Sequence, residues 1–309
     1  MTHAITKKTI NSLMNLPLRE LVFLADKARG DSLGSKLELC SIINAKSGLC
    51  GQDCKFCAQS LRYHTNIARY PLKGKEEIVR AAKAAKKNGA EYFGIVTSGG
   101  RLSKKELKEI VFAVAEITKK VDINICASLG ALGREELAAL KQAGLSRYHH
   151  NIETSARFYA EVVSTHKFKE RLNTIKAASA AGLEVCSGGI IGMGETWQDR
   201  IDMALLLKEL GVSSIPINFL VPIKGTPFES LKPLSVNDAI RTIAIFRIIL
   251  KDKIVKIAAG REAVLGDFQG LGFMAGANGM LIGGYLTIKG RKIQSDHRLI
   301  KEIETLWRR

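Results

Sequence analysis

Ala181-Gly182-Leu183-Glu184-Val185-Cys186 compresses the end of one element and the start of another into six residues. Upstream, Phe168–Ala181 repeats apolar side chains at helical spacing, and downstream Leu183–Ile190 reads as a β-strand. The glycine between them has no Cβ to penalise left-handed backbone, so it stops a helix cleanly. Gly89, Gly144 and Gly211 stand at the same kind of junction. Working outward, strand candidates fall at Lys36–Asn44, Glu91–Thr97, Asp122–Ser128, Ser146–Ile152, Leu183–Ile190, Ser213–Leu220, Ile254–Ala259 and Gly279–Leu286. Amphipathic helices lie between them, among them Lys75–Asn88, Lys104–Lys119, Arg134–Gln142, Thr196–Leu210 and Val236–Leu250. Eight strand-then-helix units predict one parallel (β/α)8 barrel of the α/β class over residues 35–309. Residues 1–34 precede it as a helical extension, with Pro17 dividing two short helices. A doubly wound open sheet is the alternative, but no glycine-rich dinucleotide turn follows the first strand.

Just past the first strand, where a barrel carries its chemistry, the chain reads Cys50-Gly51-Gln52-Asp53-Cys54-Lys55-Phe56-Cys57. This spacing gathers three thiolates in one loop, suited to three corners of an iron–sulfide cube. Clusters usually take four cysteines, so the fourth iron is left open to a small molecule bearing an amine and a carboxylate. Two plainer readings compete: buried inert cysteines, and three ligands of a zinc site. The polar neighbours argue against the first, and the lack of a second paired Cys or His spacing argues against the second. The loop resembles that of the radical S-adenosylmethionine (SAM) enzymes. The resemblance implies a [4Fe–4S] cluster that reductively cleaves SAM to methionine and a 5′-deoxyadenosyl radical.

The chain has 309 residues, 46% of them hydrophobic, enough for a large core. Residues Met1–Lys8 lead into an amphipathic segment, not a signal-peptide core, and Arg241 and Arg247 interrupt the apolar run Ile240–Leu250. Six cysteines in so long a chain make no disulfide framework, so a reducing, cytoplasmic setting is expected. A net charge of +17 raises the possibility of nucleic-acid binding. The lysines, however, are spread over helix faces, as at Lys83, Lys86, Lys87, Lys104, Lys105 and Lys108, without interleaved aromatic residues. Solvated faces are the expectation, with no nucleic acid and no membrane as partner. A positive face also suits an acidic electron carrier such as a flavodoxin or ferredoxin.

Three strands share one pattern: Leu37-Glu38-Leu39-Cys40, Ile123-Asn124-Ile125-Cys126 and Leu183-Glu184-Val185-Cys186. Alternation directs two apolar residues outward and a polar residue and a cysteine inward. Singly, each cysteine reads equally well as a buried free thiol. Together, Cys40, Cys126 and Cys186 describe a second metal site inside the barrel.

Along nearly its whole length the chain resembles the biotin synthase family. The motifs that carry the likeness are Ala45–Ser60 with Arg62-Tyr63 and Thr65, Tyr148–Thr154, Val185–Glu195, Pro216–Pro222 with Gly225-Thr226-Pro227, Ala259–Glu262 and Phe273–Asn278. The resemblance implies insertion of sulfur between C6 and C9 of dethiobiotin, with an auxiliary iron–sulfur cluster as donor. It implies that Cys50, Cys54 and Cys57 hold the SAM-binding [4Fe–4S] cluster. Phe56 would lie against the adenine, Gly188, Ile190, Gly192 and Glu195 would form the SAM wall, and Asn151 and Glu153 would meet the ribose. The family often has aspartate where Glu153 stands. His149 and Asn218 would bind the ureido ring, although an isolated histidine is more often a satisfied buried side chain. Thr287 would meet the substrate carboxylate, beside an isoleucine, Ile288, where a second threonine is frequent.

One departure stands out. The family's auxiliary [2Fe–2S] cluster takes cysteines from strands two, three and five, and an arginine. Cys126, Cys186 and Arg261 match, but the second-strand position is Gly94. The remaining cysteine, Cys40, lies on the neighbouring strand, so the expected ligand set is Cys40, Cys126, Cys186 and Arg261. A four-iron centre carrying an expendable extra sulfide is the favoured form, with a rebuilt [2Fe–2S] cluster as the alternative. Arg261 would otherwise be an ordinary ion-pair partner of Glu38 or Glu184. Spent sulfur would be replaced by a sulfide or iron–sulfur assembly source, and pairing into a homodimer is a further expectation. The rivals are a hydrogenase-maturation or methylornithine-synthase type relative, and a basic zinc-containing nucleic-acid binder.

Overall fold

A computed structural model describes residues 7–287 and 290–308. Residues 1–6 and the expectation at Ile288 lie outside the described residues. Nine strand segments form one parallel sheet: β1 Glu38–Lys46, β2 Tyr92–Thr97, β3 Asn124–Ser128, β4 Arg147–His149, β5 Glu184–Cys186, β6 Gly189–Ile191, β7 Ser214–Phe219, β8 Ile254–Ile257 and β9 Gly279–Leu281. Their order is β5-β4-β3-β2-β1-β9-β8-β7-β6, and a β5–β7 pairing closes the ring. The segments β5 and β6 are successive halves of one stave, so the barrel has the expected eight positions. The expected fifth strand is interrupted where Gly188 N–H turns to the Asn151 side chain, 3.1 Å away, instead of the ladder. The eighth strand is shorter than expected because the chain leaves the sheet after Leu281, through Gly283 at φ 81°.

The helices are α1 Lys7–Met14, α2 Leu18–Leu33, α3 Lys75–Lys87, α4 Lys104–Lys120, α5 Arg134–Gln142, α6 Tyr159–Val162, α7 Phe168–Ala180, α8 Trp197–Glu209, α9 Val236–Leu250, α10 Arg261–Leu265, α11 Gln269–Met274 and α12 Ile293–Trp307. The four glycine stops expected from sequence all adopt positive φ, from 65° at Gly211 to 108° at Gly144. At Gly144 a Cβ would stand 2.2 Å from Thr118 Oγ1, so space as well as backbone requires glycine there. Pro17 separates α1 from α2, and Arg241 of α9 donates to Met14 O and Leu16 O, tying the extension to the barrel.

Between staves and helices runs one continuous apolar core, to which β2 contributes Phe93 and Ile95 and β3 contributes Ile125 and Ala127. The alternate residues of the same strands, including Tyr92, Gly94 and Cys126, face a cavity inside the barrel. The period-two alternation thus divides each strand between a packing face and a chemical face.

Candidate active site

The cavity has a volume of about 970 Å³ and opens at the C-terminal ends of the strands. Its rim is built by the loop after β1. Cys50 N–H donates to Gln59 O at 3.3 Å, Leu61 N–H to Cys50 O at 2.8 Å, and Cys57 N–H to Cys54 O at 2.9 Å. The Asp53 side chain fastens this loop to the segment before α7. Its carboxylate accepts the backbone N–H groups of Ser164 and Thr165 at 3.0 and 3.1 Å, and the hydroxyls of both. Those hydrogen bonds, acting against partial burial, hold the carboxyl well below its usual range. Burial pushes the Cys54 thiol up, and the Cys57 thiol to about 11.

Beside the rim, β4 runs into Asn151 and Glu153. Asn151 Oδ1 accepts from Gly188 N–H, its amide faces Glu153 Oε2 at 3.3 Å, and Glu153 lies 3.4 Å from Arg171. Glu153 sits at φ 67°, a left-handed conformation that few non-glycine residues adopt, and it lines the cavity. Phe56, Ile190, Asn218 and Thr287 also line it. Asn218 is fixed by Gly189 O and Ala259 N–H, both 3.1 Å away. An amide oxygen and nitrogen so held each keep capacity for one more bond.

Deeper in the lumen, Cys40, Cys126 and Cys186 line the same cavity from β1, β3 and β5. They are embedded in charge. Arg147 of β4 donates to both Glu38 oxygens at 2.7 and 3.1 Å and pairs with Glu184 at 2.8 Å. Lys256 of β8 lies 2.6 Å from Glu38 and 2.9 Å from Cys40 Sγ. The Tyr92 ring stacks 3.7 Å from the Arg147 guanidinium carbon. Burial works to raise the Glu38 carboxyl, but the hydrogen bonds and charges of Arg147 and Lys256 outweigh it and hold it at about 2. Burial raises the Cys40 thiol to about 11 and Cys126 further. Cys186 differs: His149 Nδ1 is 3.3 Å from its sulfur and, against burial, draws its thiol below the usual value.

The cavity residues suit a polar ligand beside the cysteines. Gln52 Oε1 and Thr97 Oγ1 are buried without partners on residues that line the cavity. Among the described residues no three His, Cys, Asp or Glu side chains close on a single ion, and a cluster distributes its cysteines over separate irons.

A family model for the radical SAM superfamily matches residues 46–207, and one for the biotin and thiamin synthesis associated domain matches residues 216–305. A biotin synthase of Thermotoga petrophila is 50% identical over 300 residues, 97% of this chain and 99% of that protein. The biotin synthase of Thermotoga neapolitana is 54% identical over 273 residues, covering 88% and 98%. This chain belongs to the biotin synthase family. As a biotin synthase it is a radical SAM enzyme, which carries a [4Fe–4S] cluster and SAM. Among solved structures, methylornithine synthase superposes with a TM-score of 0.85 at 20% identity, covering 98% of this chain and 94% of that one. The [FeFe]-hydrogenase maturase of Carboxydothermus hydrogenoformans gives 0.78 at 19%, covering 96% and 77%. These two share the fold, while the sequence relatives decide the family.

Within this biotin synthase barrel, four sequence-selected residues stand away from the cavity. Glu195 spends its carboxylate on Gly192 N–H, Met193 N–H and Arg200, at 2.9, 2.7 and 2.8 Å, so it shapes the turn that carries Gly192. Gly188 is required by packing, since a Cβ would meet Pro216 O at 2.0 Å. Arg261 is the fourth of these residues. Its guanidinium, 0% exposed, bonds Asp296 at 2.8 Å, Tyr285 Oη at 3.0 Å and the Gln269 side chain, behind the barrel wall. Glu262, 3.2 Å away, is a fourth partner, and Arg261 does not line the cavity that holds the three lumen cysteines. The lumen cations are Arg147 and Lys256, which the sequence reading passed over. Inward alternation in Val255-Lys256-Ile257 is the signal that finds Lys256, by the rule that found the cysteines.

Gly94 stands where the lumen has no room for a side chain. A Cβ at position 94 would lie 2.9 Å from Ile42 Cγ2, because Ile42 of β1 fills the lumen beside it. A second-strand cysteine and an inward Ile42 are sterically opposed.

Proposed function

We propose that this chain inserts sulfur between C6 and C9 of dethiobiotin, using a SAM-bound cluster on Cys50, Cys54 and Cys57 and a sulfur-donor cluster on Cys40, Cys126 and Cys186. The observation that carries the reading is a single cavity with three cysteines at its rim and three more in its lumen. When bound, the two clusters and SAM would supply a hydrogen-abstracting radical and the sulfur atom.

The chain's own residues bind, orient and shield. Asn151 and Glu153 present an amide and a carboxylate to the SAM ribose, with Arg171 fixing the carboxylate. Phe56 and Ile190 supply apolar surface for the adenine. Asn218 offers its spare donor and acceptor to the ureido ring, and Thr287 stands at the carboxylate end. His149 serves first as the partner of Cys186: its Nδ1, 3.3 Å from the sulfur, favours the thiolate that metal binding needs. An acidic flavodoxin or ferredoxin supplies electrons at the positive surface, and such delivery weakens as ionic strength rises.

Anaerobically reconstituted protein tests the reading through iron and sulfide counts, Mössbauer spectra and biotin formation from dethiobiotin. Cys50→Ala abolishes SAM cleavage and biotin formation together. Cys40→Ala retains SAM cleavage and one cluster per chain while losing biotin. Retention of the auxiliary Mössbauer signal in Cys40→Ala overturns the donor set. The same spectra separate a four-iron donor, the favoured form, from [2Fe–2S].

A further inference from the structure

The lumen contains a cation that the sequence-selected ligand set does not use. Lys256 projects from β8 toward β1, with Nζ 2.9 Å from Cys40 Sγ and 2.6 Å from Glu38 Oε1. It is buried, lines the cavity, and lies over the Tyr92 ring at 5.7 Å. An ammonium paired to a carboxylate has three N–H donors and no lone pair to give iron. One donor is directed to Glu38 and one to Cys40, which leaves a third for whatever occupies the lumen. Arg147 is disposed differently: its guanidinium is divided between Glu38 and Glu184. Lys256 is therefore the cation whose donor reaches a cysteine sulfur directly.

We infer that Lys256 is a positioning residue for the auxiliary centre, donating N–H to the Cys40 sulfur and to an adjoining sulfide without ligating iron. The inference rests on the proposed ligand set of Cys40, Cys126 and Cys186. Hydrogen bonds to sulfur and net charge set the potential of an iron–sulfur centre. A donated proton and a positive charge at the Cys40 corner favour the reduced form, so Lys256 eases acceptance of an electron there.

The test uses anaerobically reconstituted, intact holoprotein labelled with ¹⁵N-lysine, alongside Lys256→Met and Lys256→Arg. Each is also made with Cys50, Cys54 and Cys57 replaced by alanine, so that only the auxiliary centre contributes to the spectra. Potentiometric EPR titration of Lys256→Met is expected to show reduction weakened about tenfold, a midpoint ~59 mV lower for one electron. Lys256→Arg restores most of that shift because it restores charge and donor. Electron–nuclear double resonance on the reduced wild-type centre shows a weak ¹⁵N-lysine coupling that Lys256→Arg lacks. This last measurement does not use Lys256→Met, so it decides even if that variant fails to load iron. An unshifted midpoint in Lys256→Met without ¹⁵N coupling overturns the inference while leaving the ligand set intact. A coupling strong enough for iron-bound nitrogen overturns it in favour of ligation. Survival of the auxiliary signal in Cys40→Ala defeats the underlying ligand set instead.

Discussion

The rim and the lumen of one cavity each present three cysteines, but they are organised by opposite means. At the rim, Cys50, Cys54 and Cys57 lie in eight consecutive residues, placed by backbone hydrogen bonds and by Asp53 at the edge of solvent. In the lumen, Cys40, Cys126 and Cys186 come from three staves and sit in a buried lattice of Glu38, Arg147 and Lys256. A loop site can be assembled by local chain geometry. A lumen site exists only when the whole barrel closes, so its ligands and its stability are coupled. The largest expected effect tests this division through activity. Cys54→Ser silences SAM cleavage, while Cys126→Ala leaves 5′-deoxyadenosine formation and loses biotin, both read by chromatography of single-turnover reactions. Loss of 5′-deoxyadenosine in both variants breaks the comparison.

Stability separates the two regions next. Glu38 and Arg147 are each 3% exposed and face each other at 2.7 Å. Removing Arg147 strips Glu38 of two hydrogen bonds but leaves it Lys256 at 2.6 Å, a cost of about 1–3 kcal/mol. Arg147→Met is therefore expected to lower the urea midpoint of the apo protein by that equivalent. The pH dependence carries a definite sign. With its folded value near 2 against an ordinary 4.5, Glu38 contributes stability that is complete above about pH 4.5 and lost as pH falls toward 2. Glu38→Gln flattens that part of the acid unfolding profile, measured by circular dichroism.

What could be read from the chain follows the same line. The barrel was legible because helix and strand periods are local, and because Gly89, Gly144, Gly182 and Gly211 mark where one yields to the next. The grouping of the three rim cysteines was legible for the same reason. The inward cysteines could be read from alternation, but their surroundings could not. Arg147, three residues past Gly144, looked like any strand-opening arginine until closure set it against Glu38, 109 residues away in the chain. A motif gives position along the chain and not direction: Arg261, which follows the left-handed Gly260 at φ 83°, pairs with Asp296.

The exchange of Gly94 and Cys40 is a smaller and sharper test of the lumen. Gly94→Cys places a side chain against Ile42, and such overpacking typically costs about 1–3 kcal/mol. Gly94→Cys with Ile42→Ala opens the space and regains much of that loss in thermal melts. Combined with Cys40→Ala, it asks whether a ligand can be returned to the second strand. Recovery of the auxiliary Mössbauer signal is the expected outcome.

The smallest effect belongs to the rim and completes a matched pair with Glu38→Gln. Asp53→Asn likewise exchanges a carboxylate for an amide, at a group that accepts from Ser164 and Thr165 instead of from buried cations. The amide oxygen can still accept one of those N–H groups, and solvent is at hand for what is lost. The penalty is therefore below about 1.5 kcal/mol, the scale of a single net hydrogen bond. Because Asp53 anchors the cysteine loop to the segment before α7, the variant is expected to hasten iron loss from the rim cluster more than it lowers the unfolding midpoint. Chelator-release kinetics beside urea titration measure the two. Equal penalties for Asp53→Asn and Glu38→Gln break the distinction between a site made by a loop and one made by a closed barrel.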